Sequence, residues 1–329
     1  MHVQARTIPV PLGRPSFLDV PRCDDLDTLE ADIAIIAYPF TVPYSLEWSR
    51  QPSSLAPAAI RESTLRYASY LQHYDFDFGS ELFAGRTVRI VDCGDVFEMP
   101  GCYEENSRTA TAVIRRILEQ GAVPFIFGGD HATTIPMMRA YEGRGPICVV
   151  HLDAHLDWRD EVNGVHDGLS SPMRRASELP WVTSMIQIGL RAVGSARQRE
   201  VDDAEAFGSI RVRAEELHEV GADEVLRRLP EADRYYISLD TDALDPAIAP
   251  GVNALEFGGI GYFEASNLLK GIAAKGRIVG FDVVEIAPAK DLHTLTSQLA
   301  VRLTLNLIGA MIRGGQIPRD QGDEKRQYG

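Results

Sequence analysis

The sequence predicts an α/β domain of three layers, with helices on both faces of a mostly parallel central sheet. Two observations support this fold class. Short apolar segments typical of buried strands alternate with segments of helical periodicity along most of the 329 residues, which indicates parallel strands joined by helical crossovers. In addition, no linker or internal repeat divides the chain. We therefore expect an N-terminal arm (1–30), a single domain (31–315) and a flexible tail (316–329).

Each predicted element rests on its apolar pattern. Continuous apolar runs predict strands over residues 32–37, 88–91, 123–127, 147–152, 185–189, 235–239 and 278–284. Apolar residues three or four positions apart predict helices over residues 58–71, 104–120, 170–178, 196–207, 222–228, 262–274 and 294–312. A further helix after Gly129 is expected to be capped by Thr133 or Thr134. A proline-rich loop (38–57) containing Trp48 and Arg50 joins the first strand to the first helix.

The amino-acid composition limits the kinds of molecule that this protein is expected to bind. The formal net charge of −14 argues against binding to nucleic acid or to an anionic membrane. The four cysteines lack the spacing of a metal or redox site, and they are expected to be reduced thiols of a cytoplasmic protein. The chain shows no apolar N-terminal segment typical of a signal peptide, and we expect no run long enough to span a bilayer.

Acidic and imidazole side chains follow four of the predicted strands. In a parallel sheet the carboxyl ends of the strands meet at one edge, where ligands bind. In an extended segment alternate residues point to the same side. Polar residues two positions apart in the sequence can therefore face one cavity. The candidates at the four strand ends are His131 with Asp130; Asp153, His155 and Asp157; Asp240 and Asp242; and Asp282 and Glu285.

This residue set is suited to divalent cations. Four carboxylates and two imidazoles (His131, Asp153, His155, Asp157, Asp240, Asp242) balance the charge of two such ions. Two metals in one site can generate a hydroxide nucleophile from water at neutral pH. A single aspartate at a strand end usually caps a loop, and a single histidine is usually structural. The coincidence of four strand ends argues against that explanation here.

Three motifs and a fourth landmark resemble those of the ureohydrolases, the arginase/agmatinase superfamily. They are Gly128-Gly129-Asp130-His131, Asp153-Ala154-His155-Leu156-Asp157, the run from Ser238 to Pro246, and the run from Gly280 to Pro288. The resemblance extends in order from about residue 33 to residue 314. It implies an arginase-like fold and a binuclear site, most often with Mn²⁺ and with Ni²⁺ as an alternative. That site would hydrolyse a guanidino group to urea and an amine.

The resemblance also implies individual roles. His131, Asp153, Asp157 and Asp240 would bind one or both metals, with His155 and Asp242 completing the pair. Asp157 would in addition accept a hydrogen bond from the nucleophile, and Glu285 would pair with the substrate guanidinium, whose planar donors match a carboxylate. Asp245 would be structural. The family resemblance further suggests a homotrimer or homohexamer.

Three loops depart from the family pattern, namely residues 38–57, 163–175 and 250–257. Where family members carry a proton-shuttling His-Gly pair, this chain has Leu169, so either His166 substitutes or no histidine has this role. Trp158, Arg159 and Asn163 are candidate substrate contacts. Arg159 could recognise a carboxylate or be a solvated arginine. Many agmatinases have Gly-Thr-Gly-Thr-Pro within the stretch where this chain has Pro250-Gly251-Val252-Asn253-Ala254-Leu255-Glu256-Phe257.

The substrate therefore stays open between agmatine and a guanidino acid such as 4-guanidinobutyrate. Two alternatives are another C–N hydrolase of the superfamily, for formimino or small alkylguanidine substrates, and an inactive metal-binding subunit of a hetero-oligomer. The complete set of metal ligands argues against the inactive subunit.

Overall fold

The computed structural model describes residues 4–42, 44–45, 52–194 and 196–318. Among them eleven strands form a nine-stranded sheet and a small hairpin. In chain order the strands are β1 (Thr7–Ile8), β2 (Ile33–Tyr38), β3 (Tyr74–Asp75), β4 (Ser80–Glu81), β5 (Ile90–Val96), β6 (Val123–Gly128), β7 (Ile147–Leu152), β8 (Val182–Leu190), β9 (Ile210–Arg213), β10 (Arg234–Asp240) and β11 (Arg277–Val284).

The large sheet has the strand order β1-β5-β2-β6-β11-β10-β7-β8-β9. Its pairs are parallel, except that β1 runs antiparallel to β5 at one edge. The last two strands of the sequence, β10 and β11, lie between β6 and β7. All four strand ends that carry the candidate residues are therefore neighbours at the centre of the sheet, where a parallel sheet binds ligands.

Helices cover both faces, as predicted. In chain order they are α1 (Ala56–Ala68), α2 (Tyr103–Glu119), α3 (Thr134–Arg139), α4 (Pro172–Ser177), α5 (Gln198–Phe207), α6 (Ala214–Val220), α7 (Ala222–Arg227), α8 (Tyr262–Lys275) and α9 (Leu295–Arg313). Alternate residues of β2 belong to different apolar cores: Ile33 and Ile35 pack in the core with α8 and α9, and Ala34 and Ile36 in the core with α2 and α3. The predicted three-layer α/β fold is confirmed.

Several details differ from the prediction. The short strand β9 and helix α6 were missed because Ile210–Arg213 alternates apolar with charged residues and α6 has only seven residues. Thr133 occupies the N-cap position of α3, but its side chain makes no capping hydrogen bond. Asp130 instead caps the preceding turn by accepting from the amide of Ala132. Trp48 and Arg50, and the tail from residue 319, lie outside the described residues.

One apolar helix requires a correction. We expected no run long enough to cross a membrane, yet the segment Leu292–Arg313 has sufficient length and a mean hydropathy of 1.3. Of its most apolar window, 72% is buried inside the protein, because α9 packs against α1 and α8 in the core. The hydropathy of this helix is explained by its place in that core.

The N-terminal arm is attached to the sheet by a buried ionic cluster. Arg61 on α1 donates from Nε and Nη2 to both oxygens of Asp92, at 2.9 Å each, and from Nη1 to Asp95 at 2.6 Å. Asp92 also accepts the backbone N–H of Phe17 in the arm, at 2.8 Å. The side chains of Arg61 and Asp92 are 6% and 0% exposed. Removing one partner would therefore leave an uncompensated charge in the interior.

We expect Arg61→Ala to lower the free energy of unfolding by about 3–5 kcal/mol, the usual cost of breaking a buried pair. Urea unfolding followed by circular dichroism measures the change. The matched control is Arg14→Ala, which removes an ion pair between the same arm and Glu62 on the same helix, with side chains 65% and 51% exposed. Such a surface pair contributes less than about 1 kcal/mol. Equal effects of the two substitutions would contradict this account.

Candidate active site

The ends of β6, β7, β10 and β11 bring together a cluster of buried histidines and carboxylates. His131, on the turn after β6, is 1% exposed, and Asp153, after β7, is fully buried. Asp240 ends β10 and Asp242 lies in the following turn, each 3% exposed. All six predicted metal ligands, His131, Asp153, His155, Asp157, Asp240 and Asp242, are in this cluster.

One half of the cluster centres on the Nδ1 atom of His131. This atom lies 3.1 Å from an Oδ2 oxygen of Asp153, 2.9 Å from Asp157 Oδ2 and 3.2 Å from Asp240 Oδ2. In this geometry Nδ1 has no well-aligned hydrogen-bond partner among the described residues. An imidazole nitrogen and three carboxylate oxygens converging on one point form a donor set typical of a divalent cation.

The other half of the cluster shares Asp153. The Nδ1 atom of His155 lies 3.3 Å from Asp153 Oδ1 and 3.0 Å from Asp242 Oδ2. Asp153 therefore presents Oδ2 to the His131 group and Oδ1 to the His155 group. A carboxylate with one oxygen in each of two donor groups is suited to bridge two cations. Two sets of ligand atoms are close enough to hold an ion, one from His131, His151, Asp153 and Asp157 and the other from Asp153, His155 and Asp242. Asp240 adjoins the first set, so the residues present fit a binuclear metal centre.

Backbone amides fix the orientation of these carboxylates. The N–H of His155 donates to Asp153 Oδ1 at 2.6 Å, and the N–H of Asp242 donates to Asp240 Oδ1 at 2.9 Å. Each bond spans two residues, as expected for an aspartate at the start of a turn. The second oxygen of each side chain is thereby turned toward His131.

Buried polar partners orient His131. Ser238 on β10 donates its single hydroxyl proton to Asp282 Oδ1 at 2.6 Å, and its oxygen lies 2.9 Å from His131 Nε2. Because Ser238 already donates its only hydroxyl proton to Asp282, its oxygen accepts a hydrogen bond from the Nε2–H group of His131. The other ring nitrogen of His131, Nδ1, faces the carboxylates. Asp282 also accepts from Tyr236 at 2.6 Å. Asp282, expected only as a strand-end carboxylate, thus supports His131 from beneath the cavity.

A second set of polar partners surrounds His151, which the sequence places two residues before Asp153. Its Nε2 lies 2.8 Å from Asp153 Oδ2. Gln187 on β8 donates from Nε2 to the carbonyl of Leu156 at 2.8 Å, and the same nitrogen lies 3.0 Å from His151 Nδ1. The carbonyl contact fixes the amide orientation, so Nδ1 is an acceptor and the His151 proton is on Nε2, toward Asp153. Sequence reasoning missed Gln187, because a single glutamine in an apolar strand carries no motif.

Glu285 connects β11 to the turn that carries His131. Its Oε1 accepts the backbone N–H of His131 at 2.9 Å, and its own N–H donates to the carbonyl of Gly129 at 2.9 Å. A Cβ atom at Gly129 would lie 1.9 Å from the carbonyl oxygen of Phe40, so this close approach requires glycine. Glu285 and Asp157 both have positive φ, at 66° and 52°. Such strained backbone is found preferentially at functional sites.

In the metal-free protein, burial raises the pKa values of two carboxylates at the site. Burial, together with the charge of Asp130, raises the pKa of Glu285 to about 8. Burial and the charge of Asp153 raise the pKa of Asp242 to about 6. Burial alone would lower the pKa of His155, but hydrogen bonds to Asp153 and Asp242 outweigh it and raise this pKa to about 12. The metal-free cluster therefore retains protons that bound cations would displace.

The cluster opens into a cavity of about 180 Å³. Its walls carry His155, Asp157, Glu285, Arg159 and Asn253. Arg159, a predicted substrate contact, thus lies at the cavity, where its Nη1 pairs with Glu200 at 3.1 Å. Asn253 was not singled out as a site residue. The only signal in the sequence was the departure of residues 250–257 from the agmatinase pattern.

Three other candidates lie elsewhere. Trp158 is 2% exposed and packs in the core against Phe207, with ring centroids 6.0 Å apart. The Asn163 side chain donates to the backbone carbonyl of Tyr44 at 3.1 Å. The ring of His166 lies 3.1 Å from the carbonyl of Asp160 and lines a separate cavity of about 380 Å³. The structure brings none of the three to the cavity of the cluster. Trp158 points into the core, and the loop that carries Asn163 and His166 turns away between Arg159 and Leu169, which both line the cavity.

Comparisons with known proteins support the identification from motifs. A profile of the Arginase family matches residues 31–309. Guanidinopropionase of Pseudomonas aeruginosa is 30% identical over 318 residues, which cover 93% of this chain and 94% of that protein. An agmatinase of Pyrococcus horikoshii is 28% identical over 290 residues, covering 88% and 95%.

A solved structure gives the same result for the fold. The proclavaminate amidino hydrolase of Streptomyces clavuligerus superposes with a TM-score of 0.79 at 28% identity, over 91% of this chain and 97% of that one. The arginase-like fold is therefore confirmed, and with it the resemblance to hydrolases of guanidino and amidino C–N bonds. The chain belongs to the Arginase family.

Proposed function

We propose that this enzyme hydrolyses a small guanidino compound to urea and an amine at a binuclear metal centre. The observation that carries the proposal is the shared carboxylate of Asp153, whose two oxygens face two separate histidine–carboxylate groups. The donors are buried except His155, whose side chain is 21% exposed. Backbone amides orient Asp153 and Asp240, and Ser238 orients His131. A polar loop without a ligand would have no reason to bury so many like charges.

The proposed ligands divide between the two groups. His131, Asp153, Asp157 and Asp240 would hold one cation, and His155, Asp153 and Asp242 the other. Two divalent cations bound there would supply a hydroxide nucleophile from water and would stabilise the charge that develops on the substrate. We propose that both ions are Mn²⁺, with Ni²⁺ as an alternative, because oxygen-rich sites with imidazole suit both metals.

The remaining steps involve side chains of the chain itself. Glu285 would bind the guanidinium through its carboxylate and hold the reacting carbon above the cluster. Asp157, which lines the cavity, would accept a hydrogen bond from the nucleophile. The leaving amine needs a proton. Of the two alternatives for the proton shuttle, a role for His166 would require its loop to rearrange, because its ring lines the neighbouring cavity.

Three further properties are proposed with this function. The catalytic unit comprises residues 31–315, with which the family match over residues 31–309 agrees. Location in the cytoplasm follows from the four free cysteines. Assembly into a homotrimer or homohexamer follows from the family resemblance. Light scattering of the purified protein measures the assembly.

Replacing Asp240 by asparagine is expected to reduce metal binding and activity together. The amide retains an oxygen for the Asp242 N–H, but it lacks the negative charge beside His131. Metal content by mass spectrometry should fall by at least one ion per chain, and urea release should fall at least about 100-fold, since correct ligation is needed for the nucleophile.

The matched control is Asp245→Asn. Asp245 accepts from the amides of Ala247 and Gly259 at 2.9 and 3.1 Å, so its loss should weaken the loop but leave the metals bound. Full activity in Asp240→Asn would show that the site is assigned incorrectly.

Metal affinity is expected to increase with pH. In the metal-free cluster the pKa of Asp242 is raised to about 6 and that of His155 to about 12. Both groups must lose a proton to bind a cation, so binding releases protons and strengthens as the pH rises. Between about pH 5 and pH 7 the affinity for Mn²⁺ should rise at least about tenfold per pH unit. Calorimetry in buffers of different ionisation enthalpy measures the proton release; an affinity independent of pH would refute this description.

Arg159, on the wall of the substrate cavity, pairs with Glu200 behind it. Their side chains are 17% and 10% exposed, and Arg159 is anchored by its backbone N–H, which donates to Ser170 O at 2.9 Å. A guanidino acid carries a carboxylate at its far end, and agmatine carries an ammonium. The positive charge of Arg159 favours the guanidino acid, and the negative charge of Glu200 favours agmatine. The substrate preference therefore depends on the balance between these two charges.

Removing either partner should therefore shift the substrate preference in opposite directions. Arg159→Ala should raise the ratio of kcat/KM for agmatine over 4-guanidinobutyrate by about threefold to tenfold, and Glu200→Gln should lower it by a similar factor. The glutamine keeps an oxygen to accept the Arg197 N–H at the start of α5. Urea release from both substrates measures the ratio. A shift in the same direction for both variants would exclude this pair as the selector.

A further inference from the structure

Asn253 lies directly opposite Glu285 because of a short antiparallel contact between two loops. Val252 forms an isolated bridge with Ile286, and the N–H of Ala287 donates to the carbonyl of Gly251 at 2.7 Å. In an antiparallel register, the residue after Val252 faces the residue before Ile286. The backbone therefore places the Asn253 side chain beside the carboxylate proposed to bind the guanidinium.

The side-chain amide of Asn253 has a defined orientation. Its Nδ2 donates to Glu285 Oε2 at 3.2 Å and to Ser53 Oγ at 2.5 Å. Glu285 must be ionised to bind a guanidinium, and an ionised carboxylate only accepts hydrogen bonds, so in this state the amide nitrogen faces Glu285. This assignment fixes Oδ1 on the opposite side of the amide.

The oxygen of this amide has no partner. Asn253 Oδ1 is buried and accepts no hydrogen bond from any residue in the described part of the chain. Asn253 lines the cavity that also exposes Glu285 and the metal cluster. A buried acceptor in a substrate cavity is costly unless a ligand or water supplies a donor.

A guanidinium has the donors that this arrangement lacks. It is planar, and its N–H groups point outward on every edge. Glu285 already accepts from the His131 amide on Oε1 and from Asn253 on Oε2, and each oxygen retains further accepting capacity. The Asn253 oxygen adds a neutral acceptor beside this carboxylate, so the two side chains together match more of the guanidinium edge than Glu285 alone.

We infer that Asn253 is a specificity-determining residue that binds the substrate directly. Its Oδ1 accepts an N–H of the guanidino group, while its Nδ2 holds Glu285 in place. The inference rests on the proposed amidinohydrolase function. It assigns a role to the loop of residues 250–257, where this chain departs from the Gly-Thr-Gly-Thr-Pro sequence typical of many agmatinases.

Two substitutions separate binding from support of Glu285. Asn253→Ala removes both functions and should raise KM for the guanidino substrate about 10- to 100-fold, the effect of a hydrogen bond to a charged group. Asn253→Asp keeps an accepting oxygen but loses the donor to Glu285 and places a second carboxylate beside it. Its KM should therefore rise, but less than in Asn253→Ala, because the guanidinium binds between the two carboxylates and offsets their repulsion. Steady-state urea release by the Mn²⁺-loaded enzyme is measured with agmatine and 4-guanidinobutyrate. Inhibition by guanidinium chloride tests the head group alone and should weaken in Asn253→Ala.

A control variant and metal analysis complete the experiment. Lys290 donates to the backbone carbonyl of Asn253 at 3.2 Å, so Lys290→Ala perturbs the same loop without altering the amide and should leave KM unchanged. Metal content should equal that of the wild type in every variant. An unchanged KM in Asn253→Ala, an Asn253→Asp enzyme as impaired as Asn253→Ala, or loss of metal from Asn253→Ala would each overturn the inference. Absence of turnover by the wild type with both substrates would instead refute the proposed function.

Discussion

The burial of several like charges at one end of the sheet is the constraint on which this site depends. Asp153, Asp240 and Asp242 are each at most 3% exposed, and carboxylates so close together repel each other strongly in a medium of low polarity. In the chain alone, the repulsion is relieved by imidazoles and by retained protons. Two divalent cations would relieve it more completely, which explains why the cluster is organised around two nitrogen–oxygen groups and not around a single ion pair.

The strand order makes this concentration of charge possible. His131 and Asp240 are separated by more than a hundred positions, yet β10 and β11 insert between β6 and β7 so that both residues reach one cavity. Carboxyl ends of parallel strands form a single edge. Each strand contributes only a few polar residues after a long apolar run, so the hydrophobic core that holds the sheet together also determines the distances between ligands.

Polar groups beneath the cavity orient the histidines. Ser238 and Asp282 hold His131 from two neighbouring strands, and Gln187 holds His151 from a third. Partners of this kind fix which ring nitrogen faces a metal. The substrate side of the cavity is built differently, from loops. There Asn253, Arg159 and Glu285 come from three separate segments, and small changes in loop sequence can alter the substrate while leaving the metal centre intact.

The sequence alone determined the fold class and all six residues that form the cluster, because strand periodicity and strand-end motifs are local properties of the chain. It also placed Glu285 at the cavity. Only the tertiary structure showed where the loop residues lie, because their positions depend on the direction of each loop and on packing between distant segments. Trp158 lies in the core because the chain turns inward after Asp157, and His166 faces a neighbouring cavity because the following loop turns away. Gln187 and Asn253 acquire their roles from contacts with β7 and with the loop after β11. No local pattern encodes such contacts, since each arises only when two distant segments pack against each other.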